Sequence, residues 1–196
     1  MVDIGRVLIQ ISKDYLAGLM VGFAIAFFSQ DAISAPERSE ILGLLQGYEW
    51  RLSPEAFSQF PADTYVTLIA IAGDDGEVAY IRGRARTALS LYRNDTVWQF
   101  FSDLIVDADV AVERRRATES ICQLFLSSKP DPLKVNLVPL LDSNDVHLRT
   151  KAARCLGQIN KAEPDAELES ALLGYRDRIS ESWERRAAGF GESKNQ

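Results

Sequence analysis

The chain has 196 residues, of which 46% are apolar and 26% are charged, a composition typical of a globular protein with a substantial core. Its formal net charge of −6 argues against general coating of nucleic acid, because that needs many Lys and Arg side chains against phosphates. The charge is uneven: residues 31–79 hold nine acidic and two basic residues, whereas residues 82–116 hold seven arginines and five acidic residues. The sequence therefore predicts an acidic end and a more basic middle.

The chain begins with a long apolar pattern at helical spacing, from Ile4 to Phe27. Within it, Leu16–Phe28 runs thirteen residues without a charge, whereas a bilayer span needs about 20. The charges before this run cancel, unlike those of a signal peptide. We therefore expect a helix buried in the protein, no membrane span and a cytoplasmic location.

Helix signals continue along the chain, and strand signals are poor throughout. Pro36 followed by Glu37, and Ser53-Pro54-Glu55, are typical of a first helical turn. No alternating Val, Ile or Thr run is bounded by hairpin dipeptides. The predicted fold class is all-α, with helices over most of residues 3–188.

An internal repeat organises the carboxyl-terminal two-thirds of the chain. Three copies share an Asp, an Arg, an Ala and an aliphatic residue at identical internal offsets: Asp75, Arg82, Ala85 and Leu89; Asp107, Arg114, Ala117 and Ile121; Asp142, Arg149, Ala152 and Leu156. An apolar helical stretch precedes each copy, at residues 65–72, 97–106 and 133–141. The unit is thus a first helix, an Asp-bearing turn and a second helix, with the small Ala predicted to be buried at the junction between repeats.

The third copy, VPLLDSNDVHLRTKAARCLGQI, resembles a HEAT repeat, and the short spacing is similar to that of bacterial phycobilin-lyase-like repeats. The first two copies depart from the pattern, since Glu113 stands where the third has Leu148 and Gly83 interrupts a second helix. The resemblance implies a short right-handed α-solenoid formed by one domain, residues 1–188. Its predicted parts are a helical cap (1–60), three repeats (61–160) and a C-terminal helix (161–188), followed by a flexible tail (189–196).

The resemblance also implies roles for the repeated charges. The turn Asp and second-helix Arg are expected to form a ladder between neighbouring repeats: Asp75, Arg82, Asp107, Arg114, Asp142 and Arg149. Two positions after each ladder Arg lies another cation, and these are expected to form a binding stripe on the concave side: Arg84, Arg116 and Lys151, widened by Arg86, Arg115 and Arg154. The alternative interpretation of the stripe is an ordinary solvated face.

Other reactive side chains are few. Cys122 and Cys155 lie far apart inside apolar helical patterns, which favours buried free thiols over a disulfide framework. His147 is the only histidine, too few for a tetrahedral zinc site of the His/Cys type. No familiar catalytic signature occurs, so we predict no catalytic residue, metal or cofactor. Trp50, Trp98 and Trp183 are expected to be core anchors.

The leading functional hypothesis is a non-enzymatic adaptor, chaperone or inhibitor that binds a protein partner on its concave face, and the basic stripe suits a partner with an acidic surface. The first alternative is a nucleic-acid-binding protein that resembles the HEAT-like DNA-alkylation-repair glycosylases, although the overall acidity opposes it. The second is a bilin lyase-like chromophore handler, which rests on the repeat resemblance alone.

Overall fold

A computed structural model describes residues 38–108 and 110–191, and the side chain of residue 107 is also outside the description. The described part of the chain is all-α, as predicted, and contains no β-strand. The predicted helix at residues 4–27 lies outside the described residues. No helix in the described ranges has the length and hydropathy needed to cross a bilayer.

Ten α-helices follow one another along the described chain. They are α1 (Arg38–Leu45), α2 (Pro54–Ser58), α3 (Thr64–Ala72), α4 (Ala79–Ala88), α5 (Asp95–Asp107), α6 (Ala111–Phe125), α7 (Pro130–Leu137), α8 (Val146–Ala162), α9 (Ala166–Arg178) and α10 (Ser182–Ala187). Two short 3-10 segments, Leu89–Leu91 and Val138–Asp142, extend α4 and α7. The second contains Pro139, which lacks the backbone N–H that an α-helix interior requires.

Capping residues explain where several helices start. Ser53 accepts a hydrogen bond from the Ala56 backbone N–H at 3.2 Å, with Pro54 as the first residue of α2. Asn94 caps α5 in the same way through the Val97 N–H at 2.9 Å. Asp145 and Asp165 cap α8 and α9, each accepting two backbone hydrogen bonds. These polar residues satisfy donors that the first helical turn leaves without a partner.

The three predicted units are pairs of packed helices: α3 with α4, α5 with α6, and α7 and its 3-10 extension with α8. The junction residues Ala85, Ala117 and Ala152 are no more than 2% exposed, and the aliphatic residue four positions later is buried each time. Leu148 is fully buried at the position where the second unit has Glu113, which instead reaches Arg86 of α4 at 2.6 Å. The departure from the repeat pattern therefore supplies a polar link between units.

Further helices cover both ends of the described unit. At the amino-terminal end, α1 packs on α3 and α4 and buries Ile41 and Leu45 completely. At the carboxyl-terminal end, the single helix expected over 161–188 is two helices, α9 and α10, because Ile179 leaves the helical conformation as the C-cap of α9. Of the expected flexible tail, residues 189–191 are described, and Phe190 packs against the core 6.0 Å from the ring of Tyr175.

Candidate functional site

The residues of the predicted stripe share one helical face with the residues one turn before them. Tyr80, Val112 and His147 stand four positions before Arg84, Arg116 and Lys151, and residues four apart lie on the same side of a helix. We call this set the second-helix face: Tyr80, Arg84, Val112, Arg116, His147 and Lys151. Tyr80 is 52% exposed and Val112 is 44% exposed, so the face combines apolar and cationic groups.

Arg84 is held in place by α1. Its Nη1 donates hydrogen bonds to the backbone oxygens of Leu45 at 2.5 Å and Gly47 at 2.9 Å. The guanidinium also lies 4.8 Å from the ring centroid of Tyr80 and 5.5 Å from that of Trp50. A cation that binds carbonyls at a helix C-terminus stabilises that end of the helix. Arg84 therefore attaches α1 to α4 and is not a freely available binding cation.

Lys151 and Arg116 differ in the partners that the fold gives them. The Lys151 ammonium forms an ion pair with Glu119 of α6 at 2.5 Å. Arg116 is exposed and has no ion pair or hydrogen bond with any residue that the structure describes. A Cβ added at Gly83 would lie 3.5 Å from Arg116 Nη1, which places this guanidinium against α4. Among the three cations of the stripe, Arg116 has its charge most available to a partner.

The cations at the edge of the stripe connect successive helix pairs. Arg86 of α4 forms its ion pair with Glu113 and donates to the Ala72 carbonyl at 2.9 Å. Arg115 of α6 binds Asp145, the cap of α8, at 2.7 Å. Arg154 of α8 donates from Nε and Nη2 to the Ala187 carbonyl at the end of α10. These three arginines hold the helices together.

The ion pair between Arg115 and Asp145 contributes to the pKa of the Asp145 carboxyl group. Burial opposes ionisation of its carboxyl group, but hydrogen bonds from Arg115 and from the backbone N–H groups of Leu148 and His147 outweigh this, so the pKa of Asp145 is lowered. The carboxylate thus remains charged while it caps α8 and binds α6. One residue serves both the start of a helix and the contact between two units.

The predicted ladder forms only in part. Arg82 pairs with Asp75 of its own unit at 2.5 Å. Arg114 donates to the Ile105 carbonyl at 2.8 Å, and Arg149 donates to the Ser143 carbonyl at 2.7 Å. Each of these described contacts therefore joins an arginine to the turn or to the first-helix end of its own unit.

The expected pair of Asp142 with Arg149 is replaced by two other ion pairs. Asp142 binds Arg178 of α9 at 2.6 Å, and Arg149 binds Glu184 of α10 at 2.8 Å. The reason is that Arg178 of α9 and Glu184 of α10 lie beside the turn of the third unit. Both residues fall outside the repeat, so the repeat pattern does not indicate these pairs. The side chain of Asp107 lies outside the described residues.

Glu184 is the centre of a buried polar cluster that the sequence analysis missed. It is 6% exposed, accepts a hydrogen bond from the Tyr175 hydroxyl at 2.9 Å and pairs with Arg149. Burial, together with the Glu184 carboxylate, raises the pKa of Tyr175 to about 12, so this hydroxyl remains protonated and donates. The cluster attaches α10 to α8 and α9.

The two cysteines form a disulfide, contrary to the expectation of free buried thiols. Cys122 of α6 and Cys155 of α8 are joined with their Cα atoms 6.0 Å apart. A signal was present: the two are 33 residues apart, close to the 35 residues between the second and third copies, which places them on neighbouring second helices. They do not occupy equivalent repeat positions, so aligning the copies did not bring them together.

Two of the tryptophans predicted to be core anchors differ in their burial. Trp98 packs edge-to-face on Phe125 at 5.2 Å, as a core anchor does, whereas Trp183 is 42% exposed and lies 6.0 Å from the ring of His147. Within the described ranges, His, Cys, Asp and Glu side chains do not gather in groups of three or more that could hold a metal ion.

No protein-family model matches the chain, and the curated proteins and solved structures contain no significant match to it.

Proposed function

We propose that this chain is a non-enzymatic, HEAT-like protein-binding module whose second helices present the binding surface. The observation that carries the proposal is the second-helix face, on which Tyr80 and Val112 are about half exposed at equivalent positions of neighbouring units. Contiguous exposed apolar surface is typical of interaction sites, and the face combines these apolar groups with arginines. The solenoid arrangement of the helix pairs is part of this proposal.

The proposed partner is a protein segment that carries both apolar and acidic side chains. Tyr and Arg are enriched among the residues that dominate protein interfaces. Arg116 lies one helical turn after Val112, and its charge, which no described residue pairs, is available to a carboxylate. A segment with an apolar residue followed by an acidic one therefore complements the Val112 and Arg116 pair, and Tyr80 extends the apolar contact.

The nucleic-acid alternative has less support from the geometry. Five of the six cations named for the stripe bind carbonyls or carboxylates inside the protein: Arg84, Arg86, Arg115, Lys151 and Arg154. Neutralising phosphates needs several available cations, and their absence from this face disfavours duplex binding. The bilin-handling alternative has no supporting contact in the described residues.

The test compares two variants of similar chemistry on different helices. A triple variant, Tyr80→Ala, Val112→Ser and Arg116→Glu, changes the second-helix face. The control Val135→Ser changes a 74% exposed valine on α7, the first helix of the third unit. Both proteins and the wild type are immobilised and used to capture proteins from host extract, followed by mass spectrometry. We expect a specific protein to be captured by the wild type and the Val135 variant and lost from the triple variant.

Capture of the same proteins in equal amounts by all three would contradict the proposed surface. Circular dichroism of the triple variant controls for loss of fold, since all three side chains are exposed or half-exposed. Retention of duplex DNA by the wild type at low salt, and its loss in the Arg116→Glu variant, would instead favour the nucleic-acid alternative.

The cytoplasmic location predicted from the sequence remains a prediction, and the disulfide bears on it. Disulfides persist in oxidising compartments and are rare in a reducing cytoplasm. Acid quenching of intact host cells, followed by alkylation in denaturant, distinguishes the two states, because Cys155 is too buried to react in the folded protein. Full alkylation of Cys122 and Cys155 would agree with a cytoplasmic protein, whereas a protected pair would place it in an oxidising compartment.

A further inference from the structure

The disulfide lies in the wall of a small pocket between the second helices α6 and α8. The pocket has a volume of about 230 Å³ and is lined by residues of α6 and α8: Glu119, Cys122, Gln123, Lys151, Arg154, Cys155 and Gln158. Pockets for drug-sized ligands are typically about 300–1,000 Å³, so this one suits a small molecule. Both sulfur-bearing residues are part of its wall.

The two cysteines differ in their access to solvent. Cys155 is 2% exposed, whereas Cys122 is partly exposed. Thiol–disulfide exchange requires a thiolate to approach one sulfur from outside, and access decides which sulfur is attacked. The greater exposure of residue Cys122 therefore favours its sulfur as the point of attack and the sulfur of Cys155 as the leaving group.

The charges around the pocket favour this direction of cleavage. Lys151 stands four residues before Cys155 on the same face of α8, and Arg154 is its neighbour. Glu119 compensates one positive charge through its ion pair with Lys151, whereas Arg154 hydrogen-bonds the neutral Ala187 carbonyl and has no carboxylate partner among the described residues. The three ionic groups of the lining thus leave a net charge of +1. Nearby cations stabilise a thiolate, and a better leaving thiolate speeds exchange.

We propose that the pocket is a thiol-exchange site for small thiols that carry a carboxylate. The carboxylate binds near Arg154 and Lys151, and the thiolate of the small molecule attacks the sulfur of Cys122. A mixed disulfide forms at Cys122, the Cys122–Cys155 bond breaks, and Cys155 leaves as a thiolate with the electron pair of that bond. A second thiolate then attacks the mixed disulfide, releases the symmetric small-molecule disulfide and leaves Cys122 reduced.

The first experiment measures how fast three small thiols open the disulfide of the folded full-length chain. They are 3-mercaptopropionate, neutral 2-mercaptoethanol and cationic cysteamine, compared at equal thiolate concentration in low salt. Each rate is divided by the rate of the same thiol with 2-hydroxyethyl disulfide, because thiolates of different pKa differ in intrinsic nucleophilicity. Coulomb attraction in water over about 7 Å predicts that 3-mercaptopropionate reacts roughly threefold faster than the neutral thiol and that cysteamine reacts more slowly. The difference should vanish in 1 M NaCl because salt screens the charges.

A matched pair of variants tests the role of the pocket cation. Arg154→Gln should remove most of the advantage of 3-mercaptopropionate, whereas Lys161→Gln, an exposed lysine near the end of the same helix, should keep it. Equal rates for the three thiols, or an unchanged preference in the Arg154 variant, would overturn the proposal. Circular dichroism and thermal melting confirm that both variants are folded.

The second experiment identifies the attacked sulfur. Cys155→Ser leaves Cys122 as the single thiol, and Cys122→Ser leaves Cys155; each is treated with the disulfide form of 3-mercaptopropionate and analysed by mass spectrometry. We expect the Cys155→Ser protein to form the mixed disulfide several-fold faster, since Cys122 is the accessible residue. Equal loading of both variants, or opening of the wild-type disulfide only in denaturant, would show a purely structural bond.

Discussion

Ala85, Ala117 and Ala152 occupy equivalent positions in the three second helices, and each is buried where the next element packs. The same small residue recurs because a larger side chain would hold neighbouring helices apart. Arg116 illustrates the opposite case at the same scale. It shares a repeat position with Arg84 and Lys151, yet it differs from both in lacking an internal partner among the described residues. Repeat position therefore determines burial more closely than it determines polar contacts.

Replacing Ala117 by Leu should overpack the junction and lower the free energy of unfolding by roughly 1–3 kcal/mol. The matched control is Ala70→Leu in α3, because Ala70 is exposed and a leucine there has room. Urea denaturation followed by circular dichroism measures both. Equal stability of the two variants would contradict the alignment of the repeats. Ala188 is not a suitable control despite its place near the C-terminus, since it is 3% exposed.

Tyr175 predicts a loss of stability at alkaline pH. Its pKa is raised from 10.0 to about 12 by burial and by the Glu184 carboxylate, so the folded state favours the protonated hydroxyl. This contribution is fully present below pH 10 and is lost as the pH rises from 10 towards 12. Tyr175→Phe should unfold with less dependence on pH in that window, measured by urea midpoints at successive pH values. An identical alkaline profile for both proteins would exclude this role.

At the scale of elements, side-chain links join each second helix to a later helix. Arg86 and Glu113 join α4 to α6, the Cys122–Cys155 disulfide joins α6 to α8, and Arg149 with Glu184 joins α8 to α10. The disulfide is the covalent member of this series, and it spans 33 residues. It therefore restricts the unfolded chain over the length of about one repeat.

Removing the disulfide should lower stability without changing the helical content. The chain-entropy relation for a loop of this length gives a cost of roughly 3–4 kcal/mol, mostly through the freer unfolded chain. The double variant Cys122→Ala and Cys155→Ala is compared with the wild type by thermal and urea unfolding. Adding a reductant should destabilise the wild type and leave the double variant unchanged. Equal midpoints for the oxidised wild type and the double variant would contradict a formed and stabilising bond.

At the scale of the whole described unit, the helix pairs depend on their neighbours to bury their apolar faces. In repeat proteins each unit contacts mainly the adjacent ones, so stability is a sum of unit and interface contributions. Here α1 covers the first pair, and α9 and α10 cover the last. Loss of an end element therefore exposes the unit beside it.

Ending the chain after Ser180 removes α10 and should destabilise the unit by about 3 kcal/mol or more. The truncation leaves Arg149 and Tyr175 without the Glu184 carboxylate, and breaking a buried ion pair is costly for the charge that remains. The control is Arg178→Ala, which removes only an exposed pair with Asp142 and should cost at most about 1 kcal/mol. A truncated protein that melts with the control would show that α10 does not support α8.

The sequence by itself determined the all-α fold class, the three helix pairs and the burial of their alanines. The physical reason is that helical periodicity and the size of a junction residue are local properties, which each copy repeats. The division of residues 161–188 into two helices was not determined, because one residue that leaves the helical conformation ends an otherwise continuous pattern.

Only the tertiary structure decided which polar groups pair. Asp142, Arg149 and Arg178 could combine in several ways, and the choice depends on where α9 and α10 place their charges. The same holds for Cys122 and Cys155, whose bond requires two helices at a particular separation and rotation. It holds for Arg116 as well, which differs from Arg84 because α1 covers only the first pair. Long side chains with several possible partners are assigned by three-dimensional proximity, which the spacing of a sequence does not contain.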